Sequence, residues 1–371
     1  MRVTNTIIYN NIVKYVNENY DKINSLNEEI ASGKKINNLS DAPLETSKIL
    51  RLNKQISSIT QYSKNITTAS IWLKTTDTAL MQLKSLNTKV REITTQAATE
   101  SLNYEQRKIL ATQINTIADS VMEIATTDIN GKYIFSGYKV ETKPFKTDVT
   151  SSNSNYTIDG ENFNFDLDLQ IRMIDNSHYE FSVDGGNTWL DNDGNGFLIN
   201  SVNPILGFSV NSSSPASGDV VNFSITQTYQ GDNGNFNIEI DDKQSLKVNK
   251  LGSKIFTPDD SKNIFKILGK IWAGMITNNR DMISKQLDRL NDIETHILDQ
   301  DADIGLKQDI LENFKVDFIN AKKENATKQL SEIQDTDIAE AMTNLAKQQM
   351  LYQATLKTAA MITNLTILNY I

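Results

Sequence analysis

The stretch YNNIVKYVNENYDKINSLNEEIASG, residues 9–33, decides how the first part of the chain folds. Tyr9, Ile12, Val16, Asn19, Ile23, Leu26 and Ile30 follow one another at alternating steps of three and four. That spacing returns a stripe to one side of an α-helix and turns it toward a partner helix. Gly33 sits where a helix C-terminal glycine belongs. The far end of the chain keeps the same rhythm through Ile338, Met342, Leu345, Gln349, Tyr352, Leu356 and Ala359.

Working inward, Pro43 suits a first helical turn and Glu45 the positive end of the helix dipole. Ile49, Leu52, Ile56, Ile59, Ile66, Leu73, Leu80, Leu83, Val90 and Ile93 then predict a second long helix. Leu110, Ile114, Ile117, Val121 and Ile124 predict a third. Thr257-Pro258-Asp259-Asp260 reads as an N-terminal cap sequence before Ile264, Leu268, Ile271 and Met275. A longer helix is expected through Leu287, Leu290, Ile297, Ile304, Leu311 and Phe318.

Proline and glycine say where helices stop. No proline lies between Pro43 and Pro144 or after Pro258, and ten of the 16 glycines fall from Gly160 to Gly252. The middle third reads as sheet instead. Phe163, Phe165, Leu167, Leu169, Ile171 and Met173 alternate with polar residues, the period-two pattern of a strand with one wet face. Tyr179, Phe181 and Val183 lead into the turn signal Asp184-Gly185-Gly186-Asn187 before Trp189, and Val221, Phe223 and Ile225 and then Phe236, Ile238 and Ile240 repeat the alternation. The expected fold is α+β and multidomain: long antiparallel, coiled-coil helical arms from both termini form a helical bundle around an inserted antiparallel β domain. The expected parts are an N-terminal helical arm at 1–140, a β-rich outer domain at 141–256, and a C-terminal arm at 257–371 that pairs with the first.

Heptad seams more often close a bundle within one chain than dock another chain. Two features turn the terminal seams toward neighbouring molecules. The first thirty residues hold seven asparagines, Asn5, Asn10, Asn11, Asn17, Asn19, Asn24 and Asn27, each costing roughly half a kcal/mol of helix propensity against alanine. Asn19 and Gln349 also occupy seam positions, where a polar residue weakens packing but fixes register. The terminal helices are therefore expected to be marginal alone and to order against partners. The candidate self-assembly residues are Ile12, Val16, Ile23, Leu26 and Ile30 at one end, and Ile338, Met342, Leu345, Tyr352 and Leu356 at the other.

Chemistry is sparse. The chain of 371 residues has a net charge of -9 and a sequence pI near 5.0, which disfavours a grip on nucleic-acid phosphates. It has no cysteine, so disulfides, thiolate catalysis and cysteine-based zinc sites are excluded. A mean hydropathy of -0.41 and the lack of a run of about 20 apolar residues argue against a membrane span. Met1-Arg2-Val3-Thr4-Asn5 does not read as a cleavable signal peptide. His178 and His296 stand far apart without metal-ligand spacing, and both are expected to be solvated. Asp337-Ile338-Ala339-Glu340 places two carboxylates on a helix, where such pairs usually face water. Asp191-Asn192-Asp193-Gly194-Asn195-Gly196 matches the first half of a calcium loop, but Val202 stands where a bidentate glutamate belongs; a turn explains it as well. No catalytic residue, cofactor or metal is expected, and the chain reads as a non-enzyme.

Several motifs in order carry a family resemblance. They are Met1-Arg2-Val3-Thr4; Ala31-Ser32-Gly33-Lys34-Lys35-Ile36 with Leu39-Ser40-Asp41-Ala42-Pro43; and Gln61-Tyr62, Asn65, Ala69, Trp72-Leu73, Thr76 and Ala79-Leu80. Then come Gly131-Lys132-Tyr133-Ile134-Phe135-Ser136-Gly137, Thr142-Lys143-Pro144-Phe145, Asp184-Gly185-Gly186-Asn187-Thr188-Trp189, Asp335 to Ala341, Gln353-Ala354 and Leu368-Asn369-Tyr370-Ile371. Together they resemble the bacterial flagellins and hook-associated proteins, and in particular the hook–filament junction type. Asn37-Asn38-Leu39 departs from the proline-containing approach of many relatives, and the rest of the β insert matches no named pattern.

The resemblance implies a structural, axial role in the flagellum: a ring of identical subunits between the first hook-associated protein and flagellin. It implies export through the flagellar type III apparatus, escort by an export chaperone, and an extracellular location without a cleavable signal. It implies no nucleic-acid or membrane partner. Two other readings share parts of the pattern: a flagellin filament subunit, and a secreted enzyme or carbohydrate-binding protein acting through the β insert.

Overall fold

The structure, a computed structural model, describes residues 2–37, 42–159, 163–191 and 194–368. The chain divides into two compact bodies, Met1–Ser63 with Phe314–Ile371, and Lys64–Asn313. The fold is α+β, with long helices from both ends of the sequence and an inserted antiparallel β region.

In the first body, α1 spans Arg2–Ser32 and ends at Gly33, whose φ of 69° is the left-handed conformation a helix stop needs. Helix α2 begins at Pro43 and runs to Ala97, its N-terminal part in this body and the remainder in the second. Phe314–Asn320 is wound as a π-helix, followed by α7 (Ala321–Gln334) and α8 (Ile338–Leu368). The helix expected through Phe318 thus stops being α-helical at Asn313. The Phe314 and Phe318 rings meet there at a tilt of 41° with centroids 4.9 Å apart, and Lys322 sits 4.0 Å over the Phe318 ring.

The second body contains α3 (Tyr104–Ala125), α4 (Gly252–Ile255), α5 (Ile264–Ile276) and α6 (Arg280–Asn313). Helix α3 opens with a capping box in which Asn103 and Gln106 satisfy each other's backbone N–H. The cap of α5 is Asn263, whose side chain accepts from Lys266 N, rather than the Thr257–Asp260 run. Asp259 instead holds a turn by accepting from Ser261 and Lys262. Eleven of the thirteen residues of α5 are buried, because the helix packs on α3, α6 and the sheet at once. Gly269 permits that approach: a Cβ there would lie 1.8 Å from the Asp166 carbonyl oxygen.

Arg107, buried in α3, closes the end of α2. Its guanidinium donates to the carbonyl oxygens of Ala97 and Thr99 at 2.9 and 2.7 Å and to the Asn278 amide oxygen. Helix termini leave carbonyls without intrahelical partners, and one arginine supplies two of them.

The β region is built around a five-stranded antiparallel sheet ordered β3-β9-β5-β6-β7. These strands are β3 (Phe145–Ser151), β5 (Leu167–Met173), β6 (His178–Ser182), β7 (Phe197–Leu198) and β9 (Val220–Tyr229). Two-stranded pieces pair β1 (Asp128–Ile129) with β2 (Lys132–Tyr133), β4 (Tyr156–Asp159) with β8 (Ser209–Ser212), and β10 (Asn237–Asp241) with β11 (Gln244–Lys247). Strand alternation is observed, but the expected eleven-residue strand from Phe163 shortens to β5. Phe163 and Phe165 leave the ladder to pack on Trp272 of α5, with centroids 5.0 and 5.7 Å away.

Both histidines have hydrogen-bond partners. His178 Nδ1 lies 3.0 Å from Asp175 Oδ2, and His296 Nε2 donates to the Lys254 carbonyl at 2.8 Å. Asp175 also accepts the N–H and hydroxyl of Ser177, which with His178 hold its carboxyl down at about 2. Asp337 caps α8 by accepting from Ala339 and Glu340, so it works on backbone amides. Asn192 and Asp193 of the calcium-like run lie outside the described residues, as do Leu39-Ser40-Asp41 and Asn369-Tyr370-Ile371. Val202, at the position a calcium loop would need for glutamate, is exposed.

Candidate assembly surface

Helices α1 and α8 pack side by side along their length. On α1 the expected stripe faces the partner from Ile12 on: Ile12, Val16, Asn19, Ile23, Leu26 and Ile30 are half-buried and the residues flanking each are mostly exposed, whereas Tyr9, its expected first member, is 60% exposed. On α8 the inward row is Ala341, Leu345, Gln348, Tyr352, Thr355 and Ala359. Leu345 and Tyr352 therefore belong to the intramolecular seam, while Ile338, Met342 and Leu356 stay 50%, 58% and 43% exposed.

The difference in phase has a simple origin. Helix α8 carries two stripes that share positions 345, 352 and 359, and hydrophobicity favours the one with Met342 and Leu356. Close packing of two helices favours the one with small Ala341, buried to 4%, and with side chains that answer the polar positions of α1. Asn19 is what must be answered. Its amide donates to Thr355 Oγ1 at 3.2 Å and its oxygen accepts from Gln348 Nε2 at 2.8 Å. Gln349, the expected polar seam residue, is exposed, and its neighbour Gln348 does the work. Tyr20 and Tyr352 approach to 6.3 Å at the rim.

The base of the pair is tied by backbone. Lys35 N donates to the Gln334 carbonyl at 2.7 Å, Thr336 N to the Gly33 carbonyl at 3.1 Å, and Thr336 Oγ1 to the Glu29 carboxylate. The Ala31–Ile36 and Asp335–Ala341 motifs thus meet at one corner. The outer faces carry uncovered apolar side chains among polar ones: Tyr9, Tyr15 and Tyr20 on α1, and Met342, Met350, Leu351, Leu356 and Met361 on α8, are exposed.

The central motifs build a second feature. Phe135 of the Gly131–Gly137 run and Phe145 of the Thr142–Phe145 run join Tyr229, Phe256 and Phe265 in one aromatic cluster, with ring centroids 5.1 to 6.2 Å apart. The Phe135 carbonyl accepts from Gly252 N and the Tyr229 hydroxyl, both at 2.8 Å, and Asp232 N donates to the Ser136 carbonyl at 3.1 Å. Burial, then the nearby Asp232 charge, push the Tyr229 phenol up to about 12, so it stays a donor. Gly137, at φ 72°, would drive a Cβ to 2.1 Å from Asp232 Oδ1. The motif pins the start of the β region to its end. Asp232 and Gly252, which complete the clamp, carry no local sequence signal beyond a loop.

In Asp184–Trp189, Asp184 Oδ1 accepts from Ser182 Oγ and Thr188 N at 2.8 Å, and Arg172 lies 4.2 Å over the Trp189 ring.

Paired terminal helices with uncovered apolar side chains, and a body of helices that carries a clamped β insert, are the parts expected of a subunit of the flagellin class. The N-terminal helical region of bacterial flagellin matches residues 3–140 and its C-terminal helical region matches residues 276–371, together well over half of the chain. The chain belongs to the bacterial flagellin family.

Within that family it is similar to flagellar hook-associated protein 3 of Salmonella typhimurium, 30% identical over 146 residues, 39% of this chain and 46% of the relative. The same protein of Escherichia coli is 29% identical over 146 residues, with the same coverage of each chain. The chain thus spans just under half the length of these two curated relatives. A solved structure described as a flagellar hook-associated protein from Vibrio parahaemolyticus superposes with a TM-score of 0.54 at 16% identity, covering 80% of this chain and all of that one. That likeness concerns the fold.

Proposed function

We propose that the chain is a structural, non-enzymatic axial component of the bacterial flagellum that joins hook to filament through a ring of identical subunits. The observation that carries this reading is the terminal helix pair, only half-buried along its seam and with large apolar side chains left uncovered outside. Together with the similarity to hook-associated protein 3, it fits a subunit whose ends are completed by neighbours. The chain would act in three parts: an N-terminal arm at 1–140, an outer β domain at 141–256 and a C-terminal arm at 257–371.

In this reading Ile12, Val16, Ile23, Leu26, Ile30, Leu345 and Tyr352 hold the two ends together, and Ile338, Met342 and Leu356 meet adjacent subunits. Its partners would be copies of itself, the first hook-associated protein on one side and flagellin on the other. An export chaperone would cover the sticky helices before type III export to the cell exterior.

Deleting the gene tests the role. Bare hooks with flagellin shed into the medium are expected, because exported subunits would have no foundation to add to. Filament loss without shed flagellin would point to a filament subunit, and normal flagella would overturn an axial role altogether.

A further inference from the structure

Buried residues of α6 recur every seven positions at Leu290, Ile297, Ile304 and Leu311. The same step of seven separates Ile319, buried in the π-helix, from Ala326, buried in α7. Between Leu311 and Ile319, across the π-helix, the step is eight. Each residue of an α-helix turns the chain roughly 100°, so a seventh residue returns to nearly the same side and an eighth overshoots by about 80°. A π-helix bonds residues five apart instead of four and takes up the surplus residue.

The surplus has two solutions, and each buries one large side chain. In the observed one Ile319 is fully buried, while Phe318, the residue seven after Leu311, is 39% exposed. Wound as an α-helix throughout, the same chain would set Phe318 on the buried row, followed by Asn325 and Glu332 in place of Ala326 and Ile333. Little packing holds the segment as it is: of Phe314–Asn320 only Ile319 is buried, and Val316, Asp317, Phe318 and Asn320 are exposed. The contacts of Phe318 survive either winding. Phe314 and Lys322 stand four residues before and after it, a spacing at which α-helical side chains also meet. The costs are opposed. The π form keeps a rare backbone pattern that occurs mostly as single turns at functional sites. The α form must turn Asn325 and Glu332, both exposed now, toward the buried side.

We propose that Phe314–Asn320 is a two-state switch, π-wound with Ile319 buried and convertible to an α-helix with Phe318 buried, which changes the side that α7 shows to other molecules. The π form hides Ala326 and shows Asn325 and Glu332; the α form does the reverse. A subunit set between two unlike neighbours would use one side for each. That use rests on the axial reading above, whereas the switch belongs to the free chain, and a test on the free chain leaves that reading untouched.

Because the chain has no cysteine, one introduced thiol reports its own position. Ala326→Cys and Asn325→Cys are made separately in the full-length protein and labelled with a maleimide under native conditions. The thiol at position 326 is expected to react slowly and the thiol at position 325 fast. Adding Ile319→Asn penalises the π form, and it should speed labelling at 326 about tenfold while slowing labelling at 325 by a similar factor. Deleting Asp317 removes the surplus residue and should slow labelling at 326 further while 325 stays fast; this variant serves if Ile319→Asn fails to fold. Faster labelling at 326 without slowing at 325 would mark local unfolding and overturn the switch. A rate at 326 that the deletion leaves unchanged or raises would overturn it as well.

Discussion

Along β5 every second side chain, Leu167, Leu169, Ile171 and Met173, is at most 4% exposed. Along α1, by contrast, no described residue from Ile7 to Ser32 is fully buried, although its apolar spacing is just as regular. The difference is the number of partners. Strand β5 lies between β6 and β9 with α5 against it, whereas α1 has one companion, α8. A helix with one neighbour covers one stripe, and the rest of its apolar surface waits for other molecules. The contrast teaches that patterning states which face wants burial, and only the amount of surrounding protein states how much burial it gets.

Substitutions can break this contrast or sharpen it. The largest expected effect is Phe181→Ala in β6, which removes a ring that is fully buried and 5.4 Å from Phe197. A loss of about 3–5 kcal/mol is expected from urea unfolding followed by tryptophan fluorescence. Ile23→Ala on α1 should cost about 1 kcal/mol or less in the monomer yet impair ring or filament assembly; equal losses at the two sites would erase the distinction. Arg107→Met comes next, about 2–3 kcal/mol by the same measurement, because it strands the Ala97 and Thr99 carbonyls and the Asn278 amide.

A smaller effect is expected from Asn19→Leu. The monomer's terminal pair should become somewhat better protected in amide exchange. The register should loosen, read as a wider spread of cross-link positions between α1 and α8, because Gln348 and Thr355 lose the group that pairs them. Strong protection of residues 5–30 in the unaltered monomer would contradict the view that these ends are marginal alone.

The smallest effect concerns Asp301 on α6. Burial, then a hydrogen bond and charge from Asp77, raise its pKa in the folded chain. A carboxyl raised on folding favours the folded state when protonated, so its contribution is present at low pH and lost as pH climbs through the folded pKa. Asp301→Asn should raise the melting temperature slightly at neutral pH and leave it unchanged at pH 3, a difference that scanning calorimetry can resolve. A drop at neutral pH would show that the charge on Asp301 is useful.

Most elements were legible. The Ile12–Ile30 stripe, Pro43 as a helix start and the alternation through β5, β6 and β9 follow from local geometry alone. What was misread shares one feature, competition between two locally acceptable solutions. Phe163 and Phe165 continue a strand pattern but are taken by Trp272. Met342 and Leu356 continue a heptad but yield to Ala341 and Thr355, because Asn19 needs polar neighbours and the helices need a small residue between them.

By itself the sequence determined that both ends are helical, that the middle is sheet, and that disulfide and thiol chemistry are absent, because helix and strand periods and residue types are local properties. Only the tertiary structure decided which of two stripes on α8 faces inward and why Gly131–Gly137 must be spelled as it is. Those outcomes depend on what lies opposite each side chain, and the distance along a chain does not record its distance in space.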